Sequence, residues 1–201
     1  MEDLHANPAP LGYFALGIAL ITVGLSQASF FEFGTLGSVV AVAAAVSMVV
    51  AGLLGYHARS TFGFAAFSLL GMFWFSMAAL WILDEIDHSL VRDRQYIAWY
   101  LAVWTLIGGI LFVASRRRAF AIQVVFAILT VWFGLFAISE FTGSEIVLQM
   151  AGFEGLITGA VSVYLAGALL INETTKRNLL PIGEPFMSTI IIPDDISQLF
   201  D

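Results

Sequence analysis

The sequence predicts an all-α membrane protein, a six-transmembrane-helix bundle with N and C termini cytoplasmic. Three observations lead there. Six hydrophobic segments, near residues 9–30, 35–56, 62–83, 95–114, 119–139 and 146–171, take up most of the 201 residues. Each matches the about 20 apolar residues that cross a bilayer as a helix, which leaves no room for a soluble catalytic domain. Composition agrees: 60% of residues are hydrophobic and 11% charged, too few charges to solvate the outer faces of a water-soluble bundle. Finally, Arg59, Arg116, Arg117, Arg118, Lys176 and Arg177, six of the eight basic residues, fall in connections that share one side if the chain crosses six times. Short basic loops are retained in the cytoplasm. Arg92 and Arg94 lie on the other side beside Asp84, Glu85, Asp87 and Asp93, and Glu32, Glu140 and Glu145 face outward with them.

The expected organisation is one membrane domain: a cytoplasmic N-terminal segment (1–8), a six-helix transmembrane domain (9–173) and a cytoplasmic C-terminal tail (174–201). The stretch before the first hydrophobic run carries Glu2 and Asp3 rather than basic residues, so that run is expected as a retained first helix in a multi-pass protein of the cytoplasmic membrane. Cysteine is absent, which removes disulfides, thiolate nucleophiles and Cys-ligated metals. A net charge of −7 argues against a nucleic-acid partner.

Taken in order, the first segment opens with Asn7-Pro8-Ala9-Pro10-Leu11-Gly12. Asn7 suits a helix cap, and Pro8 and Pro10 suit a first turn whose amides have no intrahelical partner. The second segment is rich in small residues, from Gly37 through Ala41, Ala43, Ala44, Ala45 and Ser47 to Ala51, Gly52 and Gly55. The third begins after Ser60-Thr61, a capping pair, and carries Phe62, Phe64 and Phe67. Gly108-Gly109 interrupts the fourth, and the sixth carries Gly152, Gly155, Gly159 and Gly167. Small-residue stripes let helix backbones approach where lipid supplies no hydrophobic drive, within a subunit or between subunits. Trp81, Tyr96, Trp99 and Tyr100 lie near helix ends and suit an interfacial belt.

Polar groups at hydrophobic depth must find a partner or line a path. They are Thr22, Ser26, Gln27, Ser47, Ser68, Ser76, Thr105, Gln123, Thr130, Thr158, Ser162 and Tyr164. Glu154 is the ionisable exception, either an interfacial carboxylate reaching water or a protonatable group at the mouth of a path. Asn172 and Glu173 end the last segment, where Glu173 opposes the helix dipole. His5, His57 and His88 have neither the spacing nor the carboxylate neighbours of a metal site, and no cofactor is expected. With no nucleophile elbow or phosphate loop, the chain reads as a conduit for a small solute and not as an enzyme.

The opening motif resembles the signature of the acetate uptake transporters, the succinate–acetate permease group with its yeast acetate and ammonia-export homologues. The likeness continues through Ala51-Gly52-Leu53-Leu54, Thr61-Phe62-Gly63, Gln123-Val124-Val125-Phe126 before Leu129-Thr130-Val131, Ala151-Gly152-Phe153 and Tyr164-Leu165-Ala166. It closes on Asn172-Glu173 followed by Leu180-Pro181-Ile182-Gly183. The resemblance implies a six-helix protomer in a ring-like homohexamer, surrounded by membrane lipid. Each protomer would carry a narrow path for acetate and other small monocarboxylates, with succinate as a further solute. Members are described both as proton-coupled symporters and as anion channels, and a small neutral solute such as ammonia is the alternative cargo. A scaffold without a path is the reading that the small-residue faces alone would support. The family's constriction is a phenylalanine, a tyrosine and a leucine on the first, third and fifth helices. Gapless placement from the flanking motifs puts these at Leu16, Leu70 and Leu129, so that two departures leave an all-leucine neck. Asn7, Pro8, Pro10, Gln123, Thr130, Glu154, Asn172 and Glu173 are the remaining motif or path residues.

Overall fold

The computed structural model describes residues 6–87 and 93–183. Expectations that rest on Glu2, Asp3, His5, His88, Arg92 or the tail from 184 onward lie outside the described residues. Among the described residues there are six helices: α1 (Ala9–Gln27), α2 (Gly34–His57), α3 (Thr61–Ile86), α4 (Arg94–Ser115), α5 (Phe120–Thr142) and α6 (Glu145–Thr175). All six are long and apolar enough to cross a membrane. They close a ring in chain order: α1 packs on α2, α2 on α3, α4 on α5, α5 on α6 and α6 on α1, with a lighter contact between α3 and α4.

Three helix starts carry the side-chain caps that their sequences favour. Ser60 Oγ accepts from the Gly63 amide at 3.1 Å, Asp93 Oδ1 from Tyr96 at 3.1 Å and Ser144 Oγ from Val147 at 3.4 Å. At the first helix the cap is displaced by one residue from the expectation. Pro8 is the N-cap rather than part of the first turn, and Asn7 Oδ1 accepts from the Ala9 amide at 3.0 Å. Helix α1 also stops at Gln27, short of the apolar run, because the chain turns through Ser29 in the left-handed region at φ 63°.

Glycine sets the tightest helix pairs. A Cβ on Gly17 would lie 2.9 Å from the Gly159 carbonyl oxygen, and one on Gly24 would lie 2.8 Å from that of Gly152. Carbon and oxygen do not approach so closely without contact, so α1 and α6 can touch backbone to backbone only with glycine at these positions. Helices α2 and α3 repeat the device, since a Cβ on Gly71 would lie 3.0 Å from the Ala45 carbonyl oxygen. These small-residue stripes therefore serve packing within the chain. Gly109 and Gly167 are different, since a side chain at either would meet open space.

Contacts identify two ends. At one, called the acidic end, Phe33 tilts on Trp81 with centroids 4.5 Å apart, and Arg94 Nε meets Glu140 Oε2 at 3.1 Å. At the other, the basic end, the Arg118 guanidinium lies 5.4 Å from the centre of the Phe62 ring. Here the chain after α6 folds back across the bundle. Asn172 Nδ2 donates to the Leu180 carbonyl at 2.7 Å while its Oδ1 accepts from the Leu180 amide at 2.9 Å. Tyr164 Oη donates to the Pro181 carbonyl at 2.8 Å, and the Ala121 amide donates to the Ile182 carbonyl at 2.9 Å. The Leu180-Pro181-Ile182-Gly183 stretch is thus a strap that joins α6 to α5.

Candidate functional site

The interior has three layers along the bundle. Leu16, Leu70 and Leu129, on α1, α3 and α5, are 0%, 0% and 1% exposed and belong to one continuous apolar cluster. Helices α1, α3 and α5 all run from the basic toward the acidic end, so residues later in each lie closer to the acidic end. Trp74 follows Leu70 by one turn, about 6 Å of rise, and Trp132 follows Leu129 by slightly less.

That next layer is aromatic. Trp74 and Trp132 stack with centroids 5.9 Å apart and planes 22° apart. Phe73 meets Phe133 edge-on at 4.9 Å and Trp104 at 5.1 Å. Such pairs add about 0.5–1.5 kcal/mol each beyond their buried area, so the layer is rigid as well as large. Two of the expected belt residues turn into it: Tyr100 stacks on Phe73 and hydrogen-bonds Ser76 Oγ, and Trp81 packs between Trp74 and Phe33. Tyr96 and Trp99 remain exposed near the acidic end, as a belt requires.

Beyond the aromatic layer a cavity of about 330 Å³ opens at the acidic end. Gln27, Val23 and Phe136 line it on the interior side, with Phe33, Trp81, Asp84, Glu85 and Glu140 around them. Glu140 is held by Arg94, which also donates from Nη2 to the Ser139 carbonyl at 3.4 Å. Gln27 joins cavity to aromatic layer, its Oε1 accepting from Trp132 Nε1 at 3.2 Å across 105 positions of sequence. Gly155 makes this possible, because a Cβ there would lie 2.8 Å from Trp132 Nε1.

On the basic side of the leucines the interior is closed by edge-on ring pairs. Tyr13 meets Phe67 at 5.0 Å and Phe62 meets Phe126 at 5.2 Å. Gln123 is buried here with its amide donating to the Arg118 carbonyl at 2.8 Å, which holds the turn between α4 and α5. Pro10 is buried at the start of α1, and Asn7 is exposed at the same end.

The remaining sequence candidates divide by what they bond. Thr22, Ser47, Thr105, Thr130 and Ser162 each donate to the carbonyl four residues earlier, so their hydroxyls are satisfied within their own helices. Thr130 also faces Gly108, in the α4–α5 contact. Glu154 is half-buried, with Oε1 accepting from Thr158 Oγ1 at 2.7 Å, and is not among the residues that line the cavity at the acidic end. Asn172 serves the strap, and Glu173 is exposed beside it. Sequence reasoning singled out Gln27 but neither Trp74 nor Trp132, and did not join the three. A glutamine and several tryptophans within apolar spans were the signal, because each brings a hydrogen-bonding group to a depth where partners are scarce.

Comparison with known proteins gives this arrangement a context. The model of the GPR1/FUN34/yaaH family matches residues 2–182. The succinate-acetate/proton symporter SatP of Escherichia coli (strain K12) is 34% identical over 182 residues, covering 89% of this chain and 96% of that protein. Ammonia transport outward protein 2 of Saccharomyces cerevisiae is 30% identical over 191 residues, covering 90% of this chain and 66% of the yeast protein. Among solved structures, that of the bacterial acetate channel SatP superposes with a TM-score of 0.85 at 33% identity, covering 89% of this chain and 99% of that one. These relatives are named as transporters or channels, not enzymes.

Proposed function

The chain belongs to the GPR1/FUN34/yaaH family, and from that premise we propose that it carries acetate and related short carboxylates across the cytoplasmic membrane. One observation carries the reading: the likeness to an acetate channel extends over nearly the whole of both chains, in sequence and in fold. The constriction is formed by Leu16, Leu70 and Leu129. Their complete burial among apolar neighbours supports a dewetting gate, a ring through which a solute passes only when water or a proton offsets the loss of hydration. The basic end is cytoplasmic, in keeping with Arg59, Arg116, Arg117, Arg118, Lys176 and Arg177 on that side. Both termini then lie inside, and the acidic-end cavity is the outer vestibule. Protomers assemble as a homohexamer in the lipid.

The direct experiment reconstitutes the purified protein in liposomes and follows labelled acetate. Influx above that of protein-free vesicles is expected, and absence of acetate and succinate flux at every pH tried contradicts the reading. A second cargo, ammonia, is favoured by the likeness to the yeast ammonia export protein. Planar-bilayer recording separates channel from symporter: a steady current reversing at the acetate equilibrium potential without proton entry identifies a channel.

A further inference from the structure

Two hydrogen-bond donors lie between the outer vestibule and the leucines without a protein partner: Gln27 Nε2 and Trp74 Nε1. Both belong to deeply buried side chains, 8% exposed for Gln27 and 0% for Trp74. Both also touch the same residue. Trp132 stacks on Trp74 and donates its indole N–H to Gln27 Oε1. That bond fixes the chemistry of the glutamine. An indole nitrogen can only donate, so the amide must present its oxygen to Trp132, and the group left over is the NH2. The orientation of the amide is therefore dictated by its neighbour rather than by a choice between two similar atoms.

A buried donor without a partner is costly, and native interiors rarely keep one unless something else satisfies it. Here two occur on side chains that share Trp132 as a neighbour, in the layer between cavity and neck. Gln27 lines the cavity itself, and Trp74 is reached through Trp81, which also lines it. Neither donor carries a charge, and Arg94, which reaches the cavity-lining Glu140, is engaged by it.

We propose that Gln27 Nε2 and Trp74 Nε1 form a subsite for an oxygen of the solute's carboxyl group, ionised or protonated, immediately outside the neck. The subsite rests on the transport reading given above. Two N–H groups replace part of the hydration shell that the carboxyl group sheds before it enters the leucine ring. Because they only donate, they serve an oxygen acceptor and offer nothing to ammonium, whose hydrogens need an acceptor. The subsite thus selects the carboxylic solute over the protonated, ammonium form of the ammonia-type cargo at the last polar position before the constriction.

Trp74→Phe keeps an aromatic ring in the stack on Trp132 but deletes the N–H together with the pyrrole half of the indole, so its melting temperature is read beside its transport. Gln27→Glu retains the oxygen that accepts from Trp132 and replaces the donor by an acceptor. In liposomes, Trp74→Phe is expected to raise the acetate concentration for half-maximal influx about five- to tenfold, the effect of one lost hydrogen bond, and Gln27→Glu to raise it further. Acetamide should compete with acetate in the wild type, and methylammonium should not. Measuring half-saturation at acidic and at neutral pH tells whether the acid or the anion occupies the subsite. Unchanged half-saturation in both folded variants overturns the proposal, as does competition by methylammonium equal to that of acetamide. Saturation-transfer NMR on the acetate methyl group, with the detergent-solubilised full chain, separates this proposal from the transport reading. A signal in the wild type that is lost in Trp74→Phe keeps the subsite even if liposomes show no flux. Flux with an unchanged signal in Trp74→Phe keeps transport and removes the subsite.

Discussion

The acidic-end and basic-end halves of the interior are both apolar and both filled by aromatic rings, yet they leave different hydrogen-bonding capacity. On the acidic side, stacked indoles and a locked glutamine keep two N–H groups in reserve beneath an open cavity. On the basic side the polar side chains that reach between elements are spent on the protein itself. Gln123 holds the α4–α5 turn, Tyr164 and Asn172 hold the strap, and Arg118 lies over Phe62. Between them, Leu16, Leu70 and Leu129 offer no hydrogen bond. The difference teaches how the proposed path would divide, with one half meeting a polar solute and the other holding the bundle shut. On that proposal passage is controlled where the two meet.

The sharpest way to break this comparison is to remove the boundary. Leu129→Ala opens a gap between the two halves and is expected to raise acetate flux per folded protein. It also costs about 2–5 kcal/mol of stability, the usual penalty for deleting a buried leucine side chain. Stopped-flow liposome influx and thermal unfolding in detergent read the two effects separately, and unchanged flux in a folded variant counts against the neck. A smaller effect is expected at the basic rim. Asn172→Ala removes both hydrogen bonds to Leu180 and should lower stability by about 1–3 kcal/mol while half-saturation for acetate stays constant. A change in half-saturation without loss of thermal stability would instead place Asn172 on the solute's route. The smallest effect is expected at Glu154, whose partner is Thr158 and which stands apart from the cavity lining. Glu154→Gln preserves size and removes ionisation. If the carboxylate is only interfacial, the pH profile of uptake is unchanged, whereas a flattened profile assigns it the coupled proton.

The membrane spans were legible in the sequence because hydropathy responds to the same apolar surface that lipid covers. Their ends were less so, since local hydrogen bonding decides them. Helix α1 stops at the Ser29 turn although Phe30 and Phe31 prolong the apolar run. Helix α6 continues through polar Asn172, Glu173 and Thr174 because an exposed helix needs no apolar residues once it has left the bilayer. Ser60 as a cap was readable from local chemistry. The Gln27–Trp132 bond was not, because 105 residues separate its partners and only the α1–α5–α6 packing brings them together. Interior hydroxyls took the first of their two expected roles, finding a partner, for a simple reason. A Ser or Thr at membrane depth can satisfy itself on the preceding turn, as Thr22, Ser47 and Thr105 do. Glutamine and tryptophan side chains reach farther, to other helices, and those were the residues that marked the site.

The central claim is that acetate crosses where Leu16, Leu70 and Leu129 meet. Leu70→Trp tests it most directly, because it adds bulk at the neck while leaving the cavity and the basic rim intact. Labelled acetate influx into liposomes should fall at least about tenfold relative to the wild type, equivalent to a barrier raised by about 1.4 kcal/mol. Influx at the wild-type rate by a Leu70→Trp protein of unaltered oligomeric state and melting temperature would contradict the account.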